Sequence, residues 1–152
     1  MNYIKDLRNI IGHTPIISVG ATILVFNDKK ELLLNLRSDT QNWGIPGGGK
    51  ELNETLEECA IRELKEETNI DVKDLKLIAV LSGPEYYFKY PNDDEVDCVI
   101  VLFSVKNYTD ELRINDGEST KLSFFPLDNL PPLESRAKAI IDKIVKGEIK
   151  YE

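Results

Sequence analysis

The sequence has no run approaching the roughly 20 apolar residues of a membrane-spanning helix. Its first ten residues, MNYIKDLRNI, place charges where a signal peptide needs an apolar stretch, so a soluble, cytoplasmic protein is expected, with no membrane partner. Cysteine is scarce. Cys59 and Cys98 each sit in an apolar-patterned segment, and one such pair is no disulfide framework, so both are expected as free, buried thiols. Basic charge is in deficit, with 19 Lys and Arg against 27 Asp and Glu and a net charge of −8. The field of the whole molecule therefore repels polyanions and argues against a nucleic-acid duplex as partner. Repeats, low-complexity tracts and Gly/Ser/Pro linkers are absent, which leaves residues 1–152 as a single domain. The oxygen-rich twelve-residue loop of a Ca²⁺-binding module is missing too.

A chain of 152 residues suffices for one core, since folding at this length buries roughly 70% of the unfolded surface. An acidic protein can still take a small phosphorylated ligand when a divalent cation sits between the two negative charges. A short amphipathic helix is predicted at about Tyr3 to Ile11, ended by Gly12 before Pro15. Strands are predicted at Ile16 to Phe26, Glu31 to Arg37, Leu75 to Leu81, Glu85 to Tyr90, Val96 to Val105 and Lys121 to Phe125. Residues 39–50, DTQNWGIPGGGK, read as a loop whose three glycines allow backbone conformations that a β-carbon forbids. A C-terminal helix is expected from Leu133 to Lys146. Strands with helices before, between and after them argue for an α/β sandwich.

The strongest helix runs from about Thr55 to Asn69. Thr55-Leu56-Glu57-Glu58 is a capping-box pattern, and Leu56, Ala60, Ile61 and Leu64 define the expected buried stripe. Glu63, Glu66 and Glu67 are helix neighbours at i, i+3 and i+4, overlapping the edge of that stripe. Carboxylates about 5 Å apart repel by about 3 kcal/mol per pair at an effective dielectric near 20. Either they splay into water with relief from Arg62 and Lys65, or they converge on a cation that takes hard oxygen ligands. Their overlap with the buried stripe weakens the first reading, because a merely solvated face would lie opposite, and spacing alone leaves both in play.

Gly48, Glu54, Arg62, Glu63, Leu64, Glu66, Glu67 and Ile70 fall on the pattern G-x5-E-x7-R-E-U-x-E-E-x-G-U, with U aliphatic. Matching its fixed identities by chance is on the order of one in 10⁷ per frame at average residue usage. The segment resembles the Nudix box, and LLLNLR…WGIPGG before it and FFPLDNLP after it resemble the family's flanks. Asn69 stands where the pattern has glycine; asparagine is the next best tolerated residue in the left-handed conformation that ends a helix.

The resemblance implies an α/β/α sandwich with a mixed central sheet. It also implies a Mg²⁺-dependent hydrolase, Mn²⁺ serving equally by coordination chemistry, that splits a diphosphate by water attack on phosphorus. Glu66 and Glu67 become the metal-ligand pair, Glu63 a further ligand or the base, and Glu54 a completing ligand. Glu54 also suits the positive end of the helix dipole. Arg62 either orients Glu63 or pairs with Glu66 at i+4. Glu118, in the loop before the last strand, is the candidate for an additional catalytic glutamate. Gly47 and Gly48, with Gly49, are expected to let phosphate oxygens approach backbone amides. Arg37 is a candidate phosphate ligand or else a surface ion pair, and Tyr87 a candidate stacking partner or else strand packing. Asp94 and Glu95 are solvated or form a second acidic site, and His13 is expected to be structural.

The expected substrate is a nucleoside diphosphate joined to another moiety, of the ADP-ribose kind. The alternatives are a nucleoside triphosphate, a dinucleoside polyphosphate, or ligand sensing without catalysis. Ser82-Gly83-Pro84 favours the first reading and Tyr86-Tyr87 the dinucleoside polyphosphate. Small hydrolases of this type often pair, so a homodimer is expected.

Overall fold

The computed structural model describes residues 2–72, 74–108, 111–115 and 119–151. Its elements in chain order are α1 (Tyr3–Ile11), β1 (Ile16–Val25), β2 (Leu32–Arg37), β3 (Trp43–Gly44), β4 (Gly47–Gly49), α2 (Leu56–Thr68), β5 (Leu75–Leu81), a 3₁₀ turn at Pro84–Tyr86, β6 (Tyr87–Lys89), β7 (Glu95–Val105), β8 (Ser119–Phe125) and α3 (Ser135–Val145).

β1 and β7 pair in parallel, from Ile16 opposite Val96 to Val25 opposite Val105. Antiparallel β4 flanks β1, and β5 and β6 share the far edge of β7, so this sheet is mixed. A smaller antiparallel sheet runs β3, β2, β8. The apolar ends of β1 and β7 are buried on both faces, which their near-continuous runs of aliphatic residues require. On one face Leu24, Ile100 and Leu102 pack with Ile140, Ile141 and Ile144 of α3. On the other, Ala21, Ile23, Val101 and Phe103 pack with Cys59, Ala60 and Leu64 of α2. The expected sandwich of helix, sheet and helix is the observed one. No helix among the described residues is long and apolar enough to cross a membrane, and both cysteines are free and buried.

α2 begins and ends as its sequence dictates. Thr55 Oγ1 accepts the Glu58 N–H at 3.0 Å. Asn69 takes the left-handed conformation (φ 70°, ψ 5°) and donates its N–H to Lys65 O, filling the role that glycine usually has at a helix end.

Four expectations change. The triple glycine is not a loop but β4, and none of its three residues has a positive φ. These glycines are small for reasons of clearance: a Cβ on Gly47 would meet Ala21 O, and one on Gly48 the Glu63 carboxyl. Ile61 leaves the buried stripe and is 44% exposed, while Cys59 takes its place beneath β4. The predicted strand from Glu85 to Tyr90 opens as a 3₁₀ turn, because Pro84 follows Gly83 at φ 119° and starts a tight turn, leaving only Tyr87–Lys89 extended. Trp43, within the expected loop 39–50, instead starts a two-residue strand and packs edge-on against Phe125 at 4.9 Å.

Candidate active site

β4 lies between β1 and the start of α2, and that placement brings the glycines against the helix glutamates. Glu67, on the buried side of α2 and only 6% exposed, accepts the Gly47 N–H at Oε2, 2.9 Å away. Glu63 holds its carboxyl over Gly48, where any Cβ would push it aside. The Arg62 guanidinium ties the wall together. Its Nε donates to Glu54 Oε2 at 2.6 Å and its Nη2 to Glu54 Oε1 at 3.0 Å. Its Nη1 donates to Glu63 Oε1 at 2.8 Å, and Nη2 also reaches Gly49 O at 3.0 Å. Glu66 Oε2 lies 3.6 Å from Nη1 as an outer ion pair, with its side chain 51% exposed. Arg62 thus touches Glu63 and Glu66 both, with the Glu54 and Glu63 contacts the shorter.

This geometry sets the electrostatics. The Arg62 hydrogen bonds hold the Glu54 carboxyl down at about 2, against the cost of its burial, and the same bonds raise the Arg62 guanidinium. Burial pushes the Cys59 thiol up to about 12, with the Glu54 charge adding to it, so this sulfur stays protonated and inert. Its Sγ donates to Gly48 O at 3.5 Å and supports β4 from below.

A cleft of about 880 Å³ opens over this wall. Glu63, Glu66, Glu67 and Gly47–Gly49 line it together with Lys5 and Arg8 of α1, Arg37 and Tyr90. α1 is held there by Arg8, which donates to Thr14 O at 2.6 Å and Glu95 O at 2.7 Å, and by Glu51, which accepts the Tyr3 N–H at 2.9 Å. Arg37 reaches the cleft already paired with Asp39, through Nε to Oδ1 at 3.0 Å and Nη2 to Oδ2 at 2.8 Å.

Glu54, Arg62, Glu63, Glu66, Glu67, Gly47, Gly48 and Arg37 thus come together, while Glu118 lies outside the described residues. Tyr87 does not join them: it is 40% exposed and donates its hydroxyl to Glu95 at 3.0 Å. Tyr90 lines the cleft instead. The alternation Tyr87, Phe88, Lys89, Tyr90 carried the signal, since a strand face that includes lysine is the solvent face. His13 Nδ1 meets Asp94 Oδ1 at 2.7 Å beside Arg8 and anchors the end of α1, a structural contact as expected. Sequence reasoning passed over Arg136, in the first turn of α3. Its signal was a cation at the positive end of a helix dipole, where acidic residues are favoured.

Among the described residues no three acidic, His or Cys side chains already converge as a cation site. Arg62 stands among three of the carboxylates, and Glu67 is engaged with Gly47. The donors are nonetheless all hard carboxylate oxygens beside backbone carbonyls, the chemistry that Mg²⁺ and Mn²⁺ accept.

The fold, the glycine strand and the glutamate wall define a class, and the chain belongs to it: residues 17–145 match the NUDIX domain family. Hydrolases of this family act on phosphoric anhydride bonds in nucleotide-linked diphosphates and generally use a divalent cation. The ADP-ribose pyrophosphatase of Methanocaldococcus jannaschii is 31% identical over 137 residues, covering 89% of this chain and 75% of that protein. The chain spans about half the length of other curated relatives that it matches. Among solved structures, the MutT Nudix hydrolase of Burkholderia pseudomallei superposes with a TM-score of 0.70 at 24% identity, covering 86% of this chain and 98% of that one. The Nudix domain of Shewanella oneidensis NrtR, solved with ADP ribose, superposes with a TM-score of 0.67 at 19% identity, covering 97% and 99%. These two likenesses concern the fold.

Proposed function

We propose that this chain hydrolyses the diphosphate of a nucleoside diphosphate joined to a second moiety, ADP-ribose being the first substrate to try, with Mg²⁺ as the ion. The observation that carries the reading is the meeting of Gly47 and Gly48 with Glu67 and Glu63 in a cleft that Lys5, Arg8 and Arg37 also line. The archaeal ADP-ribose pyrophosphatase supports the choice of substrate.

Glu63, Glu66 and Glu67 would hold the ion, with Glu54 behind Arg62 completing the negative wall. When bound, the cation supplies neutralisation of the charge on the diphosphate oxygens. The chain's own groups do the rest. Arg37, Lys5 and Arg8 draw the diphosphate into the cleft, and the bare Gly47–Gly49 backbone lets it approach without side-chain obstruction. Arg62 is a positioning residue, fixing Oε1 of Glu63 and both oxygens of Glu54. Glu63, so anchored, is the carboxylate we assign to take the proton of the attacking water; Glu118 is the other candidate. Attack in line with the departing phosphate needs no covalent intermediate. A cytoplasmic setting and a pair of identical subunits belong to the same proposal, and sedimentation at micromolar concentration checks the second.

The test is a substrate panel of ADP-ribose, ADP-glucose, UDP-glucose, ATP and diadenosine polyphosphates with Mg²⁺ or Mn²⁺, read by product mass. ADP-ribose should yield AMP and ribose 5-phosphate. Tight binding of ADP-ribose with no turnover of any compound would instead make the domain a sensor.

A further inference from the structure

We propose that Arg136 is a specificity-determining residue, and that the side pocket it closes takes the nucleobase of the substrate by reading a hydrogen-bond acceptor on the base edge. The inference rests on the hydrolase reading above and adds the part of the ligand which that reading leaves open.

The pocket, about 130 Å³, opens from the main cleft along Gly47–Gly49, Arg37 and Tyr90. That is small beside the roughly 300–1,000 Å³ of sites that enclose a whole drug-sized ligand, so it accepts one ring and leaves the diphosphate in the cleft. None of the α2 glutamates lines it. Its remaining walls are largely apolar, from Ile45, Val96, Ile100 and Ile140, and Arg136 supplies a charged group.

Arg136 is locked in place. Its side chain is 13% exposed. Nε donates to Glu134 Oε1 at 2.7 Å and Nη1 to Cys98 Sγ at 3.4 Å. The guanidinium lies over Phe88 with Cζ 4.2 Å from the ring centroid, and 5.6 Å from that of Tyr90. Four restraints hold a planar fork whose Nη2 has no hydrogen-bond acceptor among the described residues.

Charge decides what that fork offers. Glu134 neutralises Arg136 one to one, and a phosphate brought here would face the Glu134 carboxylate as well as the guanidinium. What remains is an oriented N–H donor in an apolar slot with aromatic neighbours, which suits a flat heterocycle bearing a carbonyl or ring-nitrogen acceptor. Arginine's fixed fork is the side-chain group best matched to such an edge.

The experiment compares ADP-, GDP- and UDP-glucose, which differ only in the base, on the wild type and on the double variant Glu134→Gln/Arg136→Met. The double change leaves no unpaired carboxylate, and the introduced amide oxygen can still accept the backbone N–H of residue 136 and so cap α3, as Glu134 does. The wild type should spread the three kcat/KM values by about tenfold or more, as a base-edge contact does. The variant should compress them to within about threefold, chiefly through KM, while ribose 5-phosphate binds both proteins equally by calorimetry. A uniform fall for all three substrates, or an unchanged spread, overturns the proposal and leaves Arg136 a structural ion pair. If the wild type cleaves none of the three, the hydrolase reading fails only where ADP-ribose and the rest of the panel are left intact too, and in either case calorimetry with AMP, GMP and UMP decides the pocket: base-dependent affinity that the variant loses supports it, and equal affinities overturn it. Should the variant not fold, photolabelling of the wild type with 8-azido-AMP decides: label on Phe88, Tyr90, Cys98 or Arg136 supports the proposal, and label elsewhere overturns it.

Discussion

The α2 wall of the cleft and the side pocket beside it use the same ingredients in opposite proportion. On the α2 wall one guanidinium, Arg62, serves Glu54, Glu63 and Glu66, with Glu67 beside them. Around the side pocket each lining arginine has its own carboxylate within two residues, Arg37 with Asp39 and Arg136 with Glu134. Surplus carboxylate on the α2 wall leaves negative charge that only a cation offsets. One-to-one pairing around the pocket leaves oriented donors without strong net charge. The α2 wall can therefore take a cation with a diphosphate and the side pocket a neutral ring, and the arginine-to-carboxylate ratio tells which is which.

The sharpest way to break this contrast is to remove charge from the α2 wall without changing its shape. Glu67→Gln keeps the volume of a buried side chain that meets Gly47, and should lower kcat on ADP-ribose by about 10²–10⁴-fold, the span typical of a lost charged catalytic group. Its melting temperature should stay near that of the wild type, and wild-type turnover would remove Glu67 from the machinery. Arg62→Gln removes the shared guanidinium. A positioning role predicts a loss of about 10–100-fold in kcat, with the apparent affinity for Mg²⁺ changed too; a simple surface ion pair would leave both alone.

Gly48→Ala probes the junction by space instead of charge. The new Cβ would meet the Glu63 carboxyl, and because Gly48 has no positive φ the backbone itself tolerates alanine. Because that carboxyl is the mobile end of its side chain and can shift, stability should fall by only about 1 kcal/mol, the low end for overpacking, with an activity loss that Glu63→Gln does not deepen, since both changes act on one group.

How legible these two regions were in the sequence follows from how they are built. The α2 wall comes from one helix, so the 3.6-residue period and the cap at Thr55 placed Glu63, Glu66 and Glu67 side by side before any tertiary information. The strands of the sandwich were legible for a similar reason, their aliphatic runs being long enough to show burial on both faces. Gly47–Gly49 misled because glycine has two uses, and local sequence does not tell a left-handed backbone from a site with no room for a β-carbon; only the Glu63 carboxyl and Ala21 O made the difference. The side pocket gathers Arg37, Tyr90 and Arg136 from three distant segments. No local period relates them, so Tyr87 stood in for Tyr90 and Arg136 went unseen.

The smallest effect tests the balance of charge on the α2 wall most directly. Arg62 holds the Glu54 carboxyl at about 2, below its ordinary 4.5. A carboxyl depressed on folding contributes stability that is complete above about 4.5 and is given up as the pH falls toward 2, because the unfolded chain binds the proton first. Arg62 is partly solvated, with its side chain 29% exposed, so solvent screening keeps the contribution to about 1 kcal/mol. In a domain of this size that is about 2–4 °C in Tm. Between pH 5 and pH 3, a span that covers roughly half of that loss, the wild type should therefore lose about 1–2 °C more in melting temperature than Glu54→Gln, which has no proton to take up. Parallel acid curves for the two proteins would mean that Arg62 is balanced chiefly by Glu63, and that the negative surplus of this wall is correspondingly smaller.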